Sequence, residues 1–207
     1  MTTDERAAEI RAQSRDWPSL DLGPRQLCDL ELLLNGGFSP LQGFMAQADF
    51  DSVCSNRHLA NGVLWPLPVT LDIPAEAAST LSAGSLVALR DGEGVMHAAL
   101  TVDEIWRPDR SAEARALFGT DDESHPGVRQ HLHRAPECAV AGLLEGLQLP
   151  VHYDYRELRL TPFELRRKFS RLGWRRVIAF QTHRTVHRAQ HAMMLDAARS
   201  ALSLIHI

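Results

Sequence analysis

Apolar and polar positions along the chain change their period several times, and each change marks an element. From Pro24 the stretch PRQLCDLELLLN sets Leu27, Leu30, Leu33 and Leu34 on one face at helical spacing. Asn35-Gly36-Gly37 then ends that helix, because glycine accepts the left-handed C-cap conformation. Ahead of it, Thr3 to Gln13 predicts a short exposed helix and Asp16 to Leu20 an irregular segment. A second short helix is expected around Asp49 to Ser55. Leu67 to Ile73 alternates apolar and polar residues, the period of a half-buried strand. Ser85 to Arg90 reads as a strand, Asp91-Gly92-Glu93-Gly94 as a hairpin turn, and Val95 to Trp106 as a longer strand. Asp109 caps a predicted helix over Ser111 to Phe118, His125-Pro126-Gly127 opens another, and Ala139 to Gly142 and Gly146 to Leu149 read as two short strands. Together these predict a small, mostly-β barrel or sandwich with helical decorations, ending near Tyr155.

A different pattern begins at Thr161. Threonine cap, proline at the first helical position and Glu164 at the third predict a helix that runs to about Arg171 and stops at Gly173. An apolar strand follows over Arg175 to Phe180, then a helix over Thr185 to Ser200, then a strand over Leu202 to Ile207. Strand, helix, strand is one right-handed βαβ unit. Two parallel strands with one or two helices cannot cover both sheet faces, so the sequence reads as an α+β chain whose second, α/β domain is truncated.

Charge sharpens that division. Residues 1–155 hold 23 Asp/Glu against 11 Lys/Arg, and residues 156–207 hold 3 against 11, for net charges of −12 and +8 within an overall −4. The break predicts domains over 1–155 and 156–207, the second facing an anionic ligand, although most of Arg166, Arg167, Lys168, Arg171, Arg175 and Arg176 read as solvating a helix and a strand entry. The acidic first domain argues against nucleic acid, whose affinity rests on phosphate neutralisation. No apolar run reaches membrane-spanning length, and Met1 to Arg15 is polar and acid-bearing, unlike a signal or transit peptide. Cys28, Cys54 and Cys138 are odd in number, far apart and lack a CxxC pair, which points to a reducing cytoplasm.

The chemistry concentrates in RRVIAFQTHRTVHRAQH, Arg175 to His191. A strand that spills into polar residues and then a helix N-terminus is how open α/β sheets build anion sites. His187, Gln190 and His191 share a helical face at i, i+3, i+4. On spacing alone that face could be solvated, bind phosphate or bind metal. The metalloprotease pattern needs glutamate after the first histidine, where Arg188 stands. The glycines of NGGFSPLQGF lack the GxxxxGK[ST] pattern and read as packing and turn residues. Asp121-Asp122-Glu123 reads as a solvated turn.

Several segments, in order, resemble the ATP sulfurylase (sulfate adenylyltransferase) family: RQLCDLELLLNGGFSPLQGFM, VLWPLPVTLDI, LFGTDDESHPGV, LQLPVHYDYRELRLTP and VIAFQTHRTVHRAQH. The last lies where the family has QTRNPxHRAH, and the first resembles its fungal and kinase-fused branches. The resemblance implies a PUA-like first domain and the start of a Rossmann-like nucleotidyltransferase domain. It implies that a sulfate oxygen attacks the α-phosphorus of Mg-bound ATP, with no protein-bound metal. By position, Gln181 would bind sulfate and the nucleotide, and Thr182, His183 and Arg184 would form the catalytic loop. Arg184 would also hold sulfate, while His187, Gln190 and His191 would lie against the ATP phosphates. The chain departs from the pattern with His183 for arginine, Arg184 for asparagine, Thr185 for proline and Gln190 for the second histidine. An imidazole at His183 gives up the bidentate fork of a guanidinium. The resemblance leaves room for a homo-oligomer and for a fused or separate adenylylsulfate kinase. Two other readings stay open: a non-catalytic binding module on the PUA-like domain, and an HxxH nucleotidyltransferase with another acceptor. With the sheet incomplete, little turnover and weak ATP affinity are expected of the 207 residues alone.

Overall fold

A computed structural model describes residues 1–201 and 204–206, in two compact units, Met1–His152 and Tyr153–Ile207. In the first unit the order is α1 (Asp4–Gln13), β1 (Ser19–Asp21), α2 (Pro24–Asn35), α3 (Gln47–Asn56), β2 (Leu71–Ile73), α4 (Ala75–Ser79), β3 (Leu86–Arg90), β4 (Met96–Trp106), α5 (Arg110–Phe118), α6 (Pro126–Arg134) and β5 (Cys138–Gly146). The strands form one sheet in the order β1-β3-β4-β5-β2, with β1 parallel to β3 and the other pairs antiparallel. This is the α+β arrangement expected, with helices around a mostly antiparallel sheet.

Strand alternation explains the core. In β3 and β4, Val87, Leu89, Ala98, Leu100 and Val102 join the main core with Leu30 and Leu33 of α2 and Leu71 and Ile73 of β2. Their alternates Ala88 and Ala99, joined by Met96 beyond the β3–β4 register shift at Leu89/Arg90, face a second cluster closed by Ala7 and Ile10 of α1. Both faces of these strands are therefore covered, and alanine on the second face leaves room for the helix. Local chemistry closes the turns. Gly36 takes φ +82° at the end of α2. In the β3–β4 turn, Asp91 Oδ1 accepts from the N–H groups of Glu93 and Val95, each at 2.9 Å. Asp91 Oδ2 meets buried His97 Nε2 at 2.9 Å, and that contact is the main cause of an Asp91 carboxyl held below its ordinary value.

Four expectations need correction in this unit. The segment read as irregular contains β1, a parallel edge strand whose short polar sequence carries no alternation signal. The strand expected over Leu67 to Ile73 is confined to Leu71–Ile73, and Asp72, expected on a polar face, is buried beside Arg25 and Arg110. The expected pair of strands after Ala139 is one strand, Cys138–Gly146. Its Gly142 looked like a break, yet a Cβ there would stand 1.9 Å from the Thr101 carbonyl oxygen of β4, so close strand contact requires glycine. Gly43 is constrained similarly, since a Cβ there would stand 2.3 Å from the Gly142 carbonyl oxygen, which supports the packing role expected for the NGGFSPLQGF glycines. Finally, the short helix α4 carried no periodic signal.

The second unit contains α7 (Pro162–Arg171), β6 (Ile178–Phe180), α8 (Arg188–Ala201) and β7 (Leu204–His206). Thr161 caps α7 as expected: Glu164 N–H donates to Thr161 Oγ1 at 3.3 Å, and Glu164 Oε2 accepts from Thr161 N–H at 2.8 Å. Thr161 N–H and Thr161 Oγ1, each donating to Glu164 Oε2 at 2.8 Å, hold the Glu164 carboxyl below its ordinary value. β6 and β7 pair in parallel, Ile178 to Leu204 through Phe180 to His206, around α8. The strand expected over Leu202 to Ile207 is described at Leu204–His206, and Leu202, Ser203 and Ile207 lie outside the described residues. No helix among the described residues is long and apolar enough to cross a membrane.

Candidate active site

The anion-site geometry is a strand, a loop and a helix N-terminus in succession. β6 delivers Phe180 to Gln181, the loop runs through Thr182 to His187, and α8 begins at Arg188, three residues later than expected. That shift changes what the helix start is made of. His187 is the cap residue rather than a first-turn residue, and its carbonyl accepts from His191 N–H at 2.9 Å. Gln190, at the third helical position, turns back so that its Oε1 accepts from His187 N–H at 2.9 Å. This is one half of a capping box, and glutamine at that position is what a capping box uses.

Within the loop, Arg184 N–H donates to Thr182 Oγ1 at 3.1 Å and Thr182 Oγ1 reaches the Arg184 carbonyl at 3.2 Å. A threonine hydroxyl therefore ties the loop where the family pattern has Thr-Arg-Asn-Pro. Gln181, His183, Arg184, His187 and His191 are exposed, and Thr182 and Gln190 half-buried. The structure thus strings seven residues along one strand–loop–helix. Its exposed guanidinium and imidazoles, with a helix N-terminus, suit one or two anions. Of the basic residues nearby, Arg166, Arg167, Lys168, Arg171, Arg175 and Arg176 are all exposed, and Arg176 donates to the Ser200 carbonyl at 3.0 Å. Among the described residues, no group of three His, Cys, Asp or Glu side chains is placed to hold a metal ion.

Comparison with known proteins gives the family of the chain. Residues 1–149 match the profile of the PUA-like domain, and residues 156–207 match that of ATP-sulfurylase. The chain belongs to the ATP sulfurylase family. Among curated relatives, it is 46% identical over 198 residues to a sulfate adenylyltransferase of Gibberella zeae and 49% identical over 197 residues to one of Kluyveromyces lactis. These matches span 94% and 95% of the chain but only 34% and 39% of the relatives. The chain therefore spans little more than a third of the ATP sulfurylases it matches. A solved structure described as a hexameric APS kinase from Thiobacillus denitrificans is similar at a TM-score of 0.79 and 36% identity, over 99% of this chain and 36% of that one.

Sequence reasoning missed a second constellation, inside the PUA-like unit. Asp72 Oδ2 accepts from Arg25 Nη2 at 3.2 Å, and Asp72 Oδ1 faces Arg110 Nη2 at 3.0 Å. Arg110 Nη1 donates to Glu113 Oε2 at 2.8 Å, and His131 Nε2 lies 3.0 Å from the same oxygen. Burial pushes the Glu113 carboxyl up, but its contacts with His131 and Arg110 outweigh burial and hold it below its ordinary value. Burial by itself raises the nearby Asp29 carboxyl, and Asp72 adds to the effect. These residues come from α2, β2, α5 and α6, so beyond the i, i+3 pair Arg110–Glu113 on α5 no local spacing connects the network across those elements. The one signal was an acid in LDI, between two core residues.

Proposed function

We propose that the chain supplies the PUA-like platform, residues 1–155, and the opening strand–loop–helix, within residues 156–207, of a sulfate adenylyltransferase site. The observation that carries this reading is the succession of β6, the tied loop and the capped start of α8 within the residues that match ATP-sulfurylase. In the reaction, an oxygen of sulfate attacks the α-phosphorus of ATP held with Mg²⁺. The bond to the β-phosphate oxygen breaks, and pyrophosphate leaves with that oxygen. Two anions that repel each other must be brought into contact, so positioning and charge stabilisation carry the catalysis.

Gln181, at the strand end, donates to sulfate and borders the nucleotide. Thr182, His183 and Arg184 line the junction between sulfate and the α-phosphate, where Arg184 replaces the guanidinium that the family places one residue earlier. His187, Gln190 and His191 face the ATP phosphates from the start of α8, with Gln190 also fixing the cap. We place the reaction in the cytoplasm, in a homo-oligomer, with an adenylylsulfate kinase as fused or separate partner for the product.

The test uses a chimera in which residues 1–207 replace the corresponding part of the Kluyveromyces lactis relative, beside the 207-residue protein itself. The chimera is expected to release pyrophosphate from Mg-ATP only when sulfate is present, and the 207-residue protein to do so weakly or not at all. Release that ignores sulfate would sink this reading and favour another acceptor. A chimera that folds but neither binds nor turns over ATP would favour a non-catalytic module.

A further inference from the structure

Beside the ion network of the PUA-like unit lies a cavity of about 780 Å³, between the start of α2, the edge of β2 and α6. That size suits a small organic ligand, and its lining combines apolar walls with polar and charged side chains, Gln26, Gln130 and His131 among them. Leu20 and Ile73 are among the apolar residues that line it. Phe118, 39% exposed, adds an accessible aromatic ring, its edge toward His131 at 6.3 Å. Two guanidiniums reach the opening. Arg25 uses one Nη on Asp72 and is otherwise 68% exposed in its side chain. Arg134 is exposed, and its side chain makes no hydrogen bond or ion pair among the described residues.

The charges behind the wall decide the sign. Asp72 is only 6% exposed in its side chain, and its two oxygens face Arg25 and Arg110, so its charge is already covered. Glu113 is likewise enclosed by Arg110 and His131. Asp21, on the rim, is the one lining carboxylate open to solvent. Buried ion networks add little net stability, since desolvation offsets most of their attraction. A network of this kind beside a cleft marks a candidate binding site.

We propose that this cavity binds a small molecule joining a planar ring to one anionic group, with the ring on Phe118 and the acid between Arg134 and Arg25. Asp21 then accepts from a hydroxyl or amino group on the ligand. All of its lining residues lie in the PUA-like unit.

The test is an amide chemical-shift titration of the 207-residue protein with phenyl phosphate, benzoate and AMP, and with phenol as the uncharged comparison. At least one of the three acids should shift Phe118, Gln130 and Arg134 saturably, and phenol should bind about tenfold more weakly, the loss of one charge-assisted pair. Which acid binds best distinguishes a phosphate from a carboxylate source. Arg134→Gln, a surface change whose spectrum reports folding directly, should weaken the acid by about tenfold, and His187→Ala should leave it unchanged. The proposal is overturned if no acid shifts those residues saturably, if phenol binds as well as the acids, or if Arg134→Gln titrates like the parent.

Discussion

The two units are built on different principles. Every buried residue lies at or before Leu147, and in Tyr153–Ile207 no side chain among the described residues is buried. The first unit is ordered by tertiary packing on both faces of its sheet. The second is ordered mainly by local bonds, the capping box at Thr161, the threonine tie at Thr182 and the Gln190 cap, with the Arg176–Ser200 bond and three residue pairs between parallel strands as its longer-range links. A segment held mainly by local hydrogen bonds opens at low free-energy cost. The comparison teaches that the proposed chemistry sits on the less self-sufficient unit, while the core-bearing unit is the scaffold.

The largest effects should appear where packing rules. Leu100, fully buried in β4, should lose about 3 kcal/mol on truncation to alanine, measured by urea unfolding. The same change at Leu195 of α8, 44% exposed, should cost under about 1 kcal/mol in the same assay. Equal losses at the two positions would abolish the contrast. Gly142→Ala should be comparably damaging, about 3 kcal/mol as severe overpacking, because the new Cβ meets the Thr101 carbonyl of the neighbouring strand.

Acid sharpens the comparison next. The Glu113 carboxyl is held below its ordinary value in the folded chain, so its contribution is present above the unfolded-state value. That contribution is lost as pH falls through the depressed folded value. Thermal unfolding of the first unit should therefore weaken below the ordinary glutamate range, and Glu113→Gln should flatten that dependence while lowering stability at neutral pH. An unchanged pH profile in the variant would remove the network from the account. Smaller still, Thr161→Ala should cost about 1 kcal/mol of local stability, read as faster hydrogen exchange at Glu164 and Leu165 with the β4 amides unaffected.

What the sequence disclosed follows the same line. Elements with local signatures were legible: the leucine face and Gly36 stop of α2, the Asp91 hairpin, the Asp109 cap and the Thr161 box. Elements defined by partners distant in sequence were not. β1 is a strand because Ala88 and its neighbours lie alongside it, and Asp72 is buried because guanidiniums from α2 and α5 meet it. In the candidate site, residue types and order were readable, but the start of α8 was not. No residue from Thr185 to His187 bars a helix, and the bonds from His187 N–H to Gln190 and from His191 N–H to the His187 carbonyl set the cap three residues on.

The central claim is that the strand–loop–helix from Gln181 to His191 handles ATP and sulfate. Sulfate-dependent pyrophosphate release by the chimera, with Gln181→Ala and His187→Ala made singly, tests it most directly. The account predicts a drop of about 100-fold or more in kcat/KM for each, the scale of one lost transition-state contact, with thermal stability unchanged. Activity retained within about twofold in both variants would contradict it.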